Sequence, residues 1–532
     1  LDEFDFIIVG AGSAGCVLAE RLTRCGRYTV LLLEAGQHDR LPWTRVPLGY
    51  GKTFHDARVN WRFRTTPEPG LAGREIYWPR GKGLGGSSAI NGLVWMRGLP
   101  RDFEDWAASG NPDWGWDDVA PVFDQIEEVG DGTSGPCGRV SVADRSNDYH
   151  RIGDAYIAAA RGLDLGVADR QTSHWCEGVA PYRITTRRGL RDSTSEVFLR
   201  PARRRRNLSV RSGVLVEIGF DDRRARHVHY SRRGQRHMVQ ARGSILISAG
   251  AIGSPAILQR SGIGPGAVMQ RLGIDAVSTN SAVGGGLQDH IGVDYFFRAT
   301  EPTLNQSLGR RAGQVRAGLQ FLTRRRGPLT LSVNQMGGLV CSRSDATVAD
   351  LQLYFTPLSY TTTWRNKRPL MRPDPWPGFA IGFNTCRPTS RGRVDIQDRD
   401  PSAAPEIVPR YLSTNEDVAS VVSGGKLIER MLGQSGLQAI IAGTNGFSPV
   451  GASDAEILSD FRDRASTVFH ACGTCRMAPV DAGGVVSPDL RVYGVEGLRV
   501  VDASIFPNIT SANTNAPTIM VAAKAAEMIL KG

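Results

Sequence analysis

The stretch Phe4-Asp5-Phe6-Ile7-Ile8-Val9 is almost continuously apolar and reads as a strand covered on both faces. Val17 to Leu22 continues as a helix, and Thr29-Val30-Leu31-Leu32-Leu33-Glu34 is a second buried strand, so the chain opens on a strand–helix–strand unit. Asp117 to Glu128 predicts a helix after Trp114-Gly115-Trp116. A strand pair is expected within Leu208 to Ile218, and another strand at Ser244 to Ser248 that runs into Ala249-Gly250. From about Ile291 to Phe461 the texture changes to segments such as Leu351 to Phe355 and Gly378 to Phe383, which suggest antiparallel strands with one face covered. After about Ser487 the first texture returns. The expected fold class is α/β: a doubly wound, Rossmann-like domain (1–150, 207–290 and 487–532) interleaved with an antiparallel-sheet α+β domain (151–206 and 291–486). No repeat or low-complexity tract interrupts it.

Gly10-Ala11-Gly12-Ser13-Ala14-Gly15 sits between the first strand and the first helix, the context in which GxGxxG carries meaning. The first glycine permits the tight turn, the second lets backbone approach a pyrophosphate, and the third lets the helix pack closely. Glu34, ending the next strand, is placed to accept from ribose hydroxyls, and its charge disfavours a 2′-phosphate. These residues together predict a dinucleotide site.

Composition narrows the class. The 532 residues are 41% hydrophobic and 22% charged, as in ordinary globular proteins, and no run approaches the ~20 apolar residues of a membrane span. The chain begins at Leu1 and enters a strand almost at once. With eight cysteines and no secretory segment, the expectation is reduced thiols and a cytoplasmic location. The net charge of +11 comes from arginines spread along the chain, only six of the 64 basic residues being lysine. The dense runs Arg203 to Arg206 and Arg324 to Arg326 lack interleaved aromatics, so nucleic acid is not expected. Solvated faces are the ordinary reading, with an anionic substrate, an acceptor protein or a membrane surface as alternatives. Cys472 and Cys475 form a CxxC in a glycine-containing loop, and no second CxxC or nearby His pair completes a metal site.

The chain's last 63 residues supply reaction chemistry. His470-Ala471-Cys472-Gly473-Thr474-Cys475 offers a titratable base, and Gly497 to Ser504 leads from a strand into Asp502. Ser511 to Thr518 then opens an apolar helix whose positive end can face a developing negative charge. A base with pKa near the working pH suits removal of an alcohol's hydroxyl proton.

Together with Gly81-Lys82-Gly83-Leu84-Gly85-Gly86-Ser87-Ser88-Ala89-Ile90-Asn91 and Gly250 to Gly264, these motifs resemble those of the glucose–methanol–choline (GMC) oxidoreductase family, in the same order and over essentially the whole chain. In texture the chain is similar to bacterial choline-, alkanol- and polyethylene-glycol-dehydrogenase-like members. The resemblance implies FAD, with the Rossmann-like domain holding it and the antiparallel domain holding an alcohol substrate. It implies a cofactor-binding set of Gly10, Gly12, Ser13, Ala14, Gly15, Glu34, Ala35, Arg80, Gly81, Gly85, Gly86, Ser87, Asn91, Gly92, Val94, Val214, Ala249, Gly250, Asp502, Ala503, Asn513, Thr514 and Pro517. Some members attach flavin through a His in the first signature loop; none occurs between Gly81 and Gly92, so the FAD is expected to be non-covalent. In the family the His of the HxxGTC stretch faces flavin N5, which makes His470 the base, and Asn513 occupies the second catalytic position, where it would orient the substrate oxygen.

Two departures bear on substrate. Where choline-oxidising relatives tend to carry Glu, Asn334-Gln335-Met336-Gly337-Gly338 has Gln335, which argues against a buried trimethylammonium. Phe469, with Tyr354, Phe355, Trp364 and Trp376, suggests an apolar or aromatic primary alcohol. Cys386 resembles a cysteine of the family's photodecarboxylases, but those lack the His that His470 supplies. Alcohol oxidation is therefore the leading expectation. A lyase or photodecarboxylase is the alternative, and a flavin binder without turnover is a third reading. The electron acceptor (oxygen, a quinone or a protein) is left open, with a preference for a dehydrogenase. The remaining eight His, including His290, show no catalytic context in sequence.

Overall fold

The computed structural model describes residues 2–36, 41–135, 138–168, 177–343, 345–365 and 368–531. Strand β1 (Asp2–Val9) pairs in parallel with β2 (Val30–Glu34) on one side and with the strand Gln235–Ile247 on the other. Helix α1 (Ser13–Thr23) crosses between β1 and β2. Leu208–Ser212 extends the sheet in parallel beyond β2. Ile7, Ile8 and Leu31 to Leu33 are buried in the sheet's core, as a strand with both faces covered requires.

The strand Gln235–Ile247 is the hinge of this sheet. Its first half pairs antiparallel with Arg224–Arg232, which in turn pairs with Val214–Asp221. Its last three residues pair in parallel with Leu498–Val500, which brings the C-terminal segment into the sheet. Sequence reading found only the end of it. Exposed and buried residues mix along its first half, and continuous burial begins at Ile245, so only the last part carries a buried-strand signal. The expected pair within Leu208 to Ile218 is two strands of opposite sense, Leu208–Ser212 and Val214–Asp221. Gly213 lies between them, its N–H donating to the Glu34 carbonyl at 2.8 Å. The helix expected at Asp117 to Glu128 spans Trp116–Ile126; Glu127–Gly130 leaves it to pair with Val140–Ala143.

The second large sheet is antiparallel throughout, in the order Ile441–Asn445, Ile291–Ala299, Gly378–Thr385, Leu351–Thr356, Met336–Val340, Gly178–Pro181. Ser466–Thr467 adds a short pairing at the start of Ile291–Ala299, which leads directly to His470. The C-terminal helix Asn515–Lys531 packs against α1, burying Ala516, Ala522, Ala523 and Ala526. Among the described residues no helix is long and apolar enough to cross a membrane.

Candidate active site

The glycine turn after β1 is built as its spacing predicts. Gly10 has φ +102°, and a Cβ there would lie 2.4 Å from the Ser248 carbonyl oxygen; one on Gly15 would lie 1.9 Å from the Gly10 oxygen. Those two glycines are demanded by the protein itself. Gly12 is not: among the described residues the only neighbour its Cβ would meet is Ser248 O at 3.9 Å, and at Gly92 nothing comes within 4 Å. The Gly81–Asn91 loop lies on the same turn, Gly85 N–H donating to the Ala11 carbonyl at 2.7 Å.

Glu34 ties the two loops together. Its Oε2 accepts from Ala11 N–H (2.8 Å), and its Oε1 from Gly36 N–H (2.8 Å) and Gly83 N–H (2.9 Å). Burial pushes the carboxyl pKa up, and the three amide donors oppose it. A carboxylate has about four acceptor positions, so Glu34 shapes the loops first and keeps capacity for one more donor. Asp502 behaves alike. Its Oδ2 accepts from Gly250 N–H (2.8 Å) and the Ser254 hydroxyl (2.5 Å), and its Oδ1 from Ser504 N–H (2.8 Å). It thereby caps the helix Gly250–Arg260, which Ala249 precedes.

The remaining expected cofactor residues surround this cradle. The Ser13 hydroxyl donates to Asn515 Oδ1 (2.7 Å), setting the start of α1 beside the start of the C-terminal helix that follows Thr514 and contains Pro517. Ser87 Oγ accepts from Gly81 N–H (3.1 Å), and Asn91 Oδ1 from Arg191 Nη1 (2.6 Å). Ala503 accepts from Gly473 N–H (3.1 Å), joining the Asp502 turn to the His470 stretch. Ala35 follows Glu34, and Val214 begins the strand after Gly213.

These residues fit a flavin dinucleotide. Gly12 and Gly92 leave room that the described residues do not use, and among those residues the buried Ser248 hydroxyl and Arg80 Nη2 have no partner. Polar atoms so placed call for a ligand's oxygens.

The base candidate is held from both ends. His470 N–H donates to Asp289 Oδ1 (2.7 Å), whose Oδ2 accepts from the Tyr411 and Thr467 hydroxyls, each at 2.5 Å. Phe469, at φ +69°, turns the chain there; its N–H donates to Thr467 Oγ1 (2.8 Å) and its carbonyl accepts from Arg80 Nη1 (2.8 Å). The His470 ring is buried, with Nδ1 2.8 Å from His290 Nδ1 and Nε2 2.9 Å from Asn513 Nδ2. His290 Nε2 lies 2.8 Å from the Cys386 carbonyl.

That chain of contacts dictates the tautomers. A carbonyl can only accept, so His290 carries its proton on Nε2 and leaves Nδ1 bare. His470 must then donate from Nδ1, which leaves its Nε2 as a lone pair directed at the Asn513 amide. Both rings are neutral. Burial holds His290 at about 4, and burial, then His290, then Arg80 hold His470 well below the ordinary imidazole range. His290 had no sequence signal, because its partner lies 180 residues away. Gln352 was also missed: its Nε2 donates to Asn513 Oδ1 (3.2 Å) and so orients that amide.

The expected substrate residues fare differently. Phe469 is half-exposed and meets Phe54 edge to face at 5.7 Å. Gln335 is buried, and its Oε1 accepts from the His150 N–H at 2.8 Å; among the described residues it bonds neither His470 nor Asn513. The amide oxygen of Gln335 thus serves the backbone, and its Nε2 is left without a partner among the described residues. Phe355 belongs to the large core, Trp376 stacks under Arg298, and the Trp364 side chain lies outside the described residues. Tyr354 packs with Val94, Met96, Tyr182, Leu339 and Ala512, an apolar group that reaches the site through Ala512 and through Gln352, which contacts both Met96 and Asn513.

Cys386, Cys472 and Cys475 are free, fully buried thiols whose pKa values burial pushes up. Cys386 acts through its carbonyl, as the anchor of His290. Among the described residues no group of three or more His, Cys, Asp or Glu could hold a metal ion.

The sequence matches the family description GMC oxidoreductase over residues 4–292 and its C-terminal counterpart over 388–522. The chain belongs to the GMC oxidoreductase family. Members oxidise CH–OH donors, and FAD is the cofactor expected of them. This GMC oxidoreductase is 34% identical to the "Alcohol dehydrogenase [acceptor]" of Pseudomonas putida, over 99% of this chain and 96% of that one. It is also 34% identical to an oxygen-dependent choline dehydrogenase of Brucella canis, again over 99% and 96%. Among solved structures, pyridoxine 4-oxidase from Mesorbium loti superposes with a TM-score of 0.87 at 27% identity, covering 99% of each chain.

Proposed function

We propose that this GMC oxidoreductase oxidises a primary alcohol with an apolar or aromatic substituent to the aldehyde, using non-covalently bound FAD. The observation that carries the proposal is the pairing of a bare His470 Nε2 with the Asn513 amide at 2.9 Å. A substrate hydroxyl inserted between them would donate to Nε2 and accept from Nδ2, replacing each group's present partner. His470 would take the hydroxyl proton; Asn513 would hold the oxygen. His290 keeps the proton on the far side of the His470 ring, so the acceptor nitrogen always faces the substrate. When bound, FAD would supply the acceptor for the hydride that leaves the substrate carbon.

The residues that would hold it are those of the cradle: Gly12 and Ser13 at the start of α1, the backbone of Gly81 to Gly92, Glu34 with its remaining acceptor position, and the Asn513–Pro517 helix start. Apolar substrate character is supported by the Val94, Met96, Leu339 and Tyr354 cluster, which offers no carboxylate to a cation. The choline dehydrogenase relative keeps amino alcohols in the comparison. The test is anaerobic mixing of the holoenzyme with a panel of aliphatic, aromatic and quaternary-ammonium alcohols. Bleaching of the oxidised flavin band by apolar alcohols supports the proposal; bleaching by choline alone, or by no alcohol, refutes it. Repeating the panel with peroxide detection and with a dye acceptor separates oxidase from dehydrogenase.

A further inference from the structure

The helix Arg311–Arg324 presents its apolar residues to solvent. Its inner side buries Ala317 and Phe321. On the opposite side Val315, Leu319 and Leu322 are 62%, 57% and 69% exposed. At 100° per residue these three fall within an arc of ~60°, a single outward stripe. Scattered exposed hydrophobics are normal; here three of the nine large ones exposed among the described residues share one helix face.

The stripe lies in a segment whose only charged residues are basic. Between Pro302 and Ser344 the sequence has no Asp or Glu, while Arg310, Arg311, Arg316, Arg324, Arg325 and Arg326 lie on or beside the helix. All six are exposed and form no ion pair among the described residues; Arg325 lies over the Phe321 ring, 4.8 Å from its centre. An internal partner would have brought carboxylates.

We propose that the helix Arg311–Arg324 is a docking surface for an anionic lipid bilayer. The stripe would sit among the acyl chains just below the headgroups, and the arginines would reach the lipid phosphates. A helix lying in an interface has this arrangement: a narrow apolar face, basic residues beside it, and no continuous hydrophobic span. Arginine suits it further, because its long apolar stem can lie along the hydrocarbon boundary while the guanidinium stays at the phosphates.

The segment after the helix also touches the loop Gly81 to Gly92. The chain leaving the helix reaches Ser332, whose hydroxyl donates to the carbonyl of Gly92 (2.6 Å) in the cofactor loop. A bilayer is where an apolar alcohol concentrates, so docking here would bring the enzyme to its substrate's phase.

The experiment is sedimentation of the purified holoenzyme with vesicles of phosphatidylcholine alone and of phosphatidylcholine mixed with phosphatidylglycerol. Binding to the mixed vesicles should exceed binding to the neutral ones by at least ~10-fold at low salt and fall steeply in ~0.5 M salt. The triple variant V315S/L319S/L322S changes only exposed residues, and circular dichroism checks its fold. It should lose at least ~10-fold of that binding, and R311Q/R316Q should lose the preference for anionic vesicles. Absence of wild-type binding to the mixed vesicles, or equal binding by the triple variant, would overturn the proposal. So would light scattering that finds a wild-type dimer and a monomeric triple variant, since the stripe would then be covered by a second copy of the chain.

Discussion

At the residue scale, His470 and Asn513, which the structure brings to 2.9 Å of each other, could be singled out from sequence because each stands in a short motif whose chemistry is local. Asp289, His290 and Gln352 were not, because their roles exist only across strands: Asp289 fixes the His470 backbone, His290 its ring, and Gln352 the Asn513 amide. Replacing His470 with Ala should lower the rate constant of flavin reduction by ~10²–10⁴, the range of a lost general base, with little change in FAD content. Asn513→Ala should cost less, since it removes orientation but not the proton acceptor. Anaerobic stopped-flow with absorbance checks on occupancy measures both; parent-rate reduction in His470→Ala would remove His470 from the chemistry. His290→Ala frees the His470 ring to take the other tautomer and should slow reduction by at least ~10-fold, a loss typical of groups that orient a functional His. Because burial already holds His470 neutral, the reduction rate of the parent should be flat from pH ~6 to ~8. An inflection near the ordinary imidazole value would show that the buried ring is not the group that takes the proton.

At the element scale, the strand–helix–strand opening was readable because burial on both faces writes continuous apolar runs and the turn between them needs glycine. The strand Gln235–Ile247 was only half readable, since its pairing changes along its length. Within the turn, the glycines divide by what they face. Gly15→Ala would place a methyl 1.9 Å from a backbone oxygen and should destabilise the fold itself. Gly12→Ala meets no protein atom closer than 3.9 Å, so its apoprotein should melt close to the parent. FAD binding should nonetheless weaken by at least ~10-fold, because the methyl occupies the side on which the pyrophosphate must approach. Thermal melts of the apoproteins and FAD titration by fluorescence separate the two effects. A Gly12→Ala protein that binds FAD normally would mean that this turn does not carry the pyrophosphate.

At the scale of the whole molecule, the interleaving of two sheets was visible in sequence as an alternation of textures, while the excursion Gly178–Pro181 into the antiparallel sheet was too short to carry a pattern of its own. The molecule's response to acid follows from how it buries histidine. His55, His150, His229, His290 and His470 are all held below the ordinary imidazole value, with burial the largest cause in each. Below pH ~6.5 the unfolded chain protonates these rings and the native state resists, so the unfolded state binds more protons and stability decreases as the pH is lowered. For His290 the contribution is complete above ~6.5 and lost by about 4, where the native ring also protonates. The buried carboxyls Glu34, Asp102, Asp289 and Asp502 act with the opposite sign, since their native pKa values are raised by burial; they recover some stability as the pH falls through those values. A difference measurement isolates the His term. In His290→Gln the amide can still donate to the Cys386 carbonyl but cannot titrate, so the unfolding free energy of the parent minus that of the variant, from denaturant-unfolding curves, should fall as the pH is lowered from 7 to 4. The full shift corresponds to about 3 kcal/mol at ~1.4 kcal/mol per pH unit. Curves that stay parallel over that range would show that His290 titrates alike in the native and unfolded chains, and the neutral, tautomer-setting partner assigned to His470 would be lost with it.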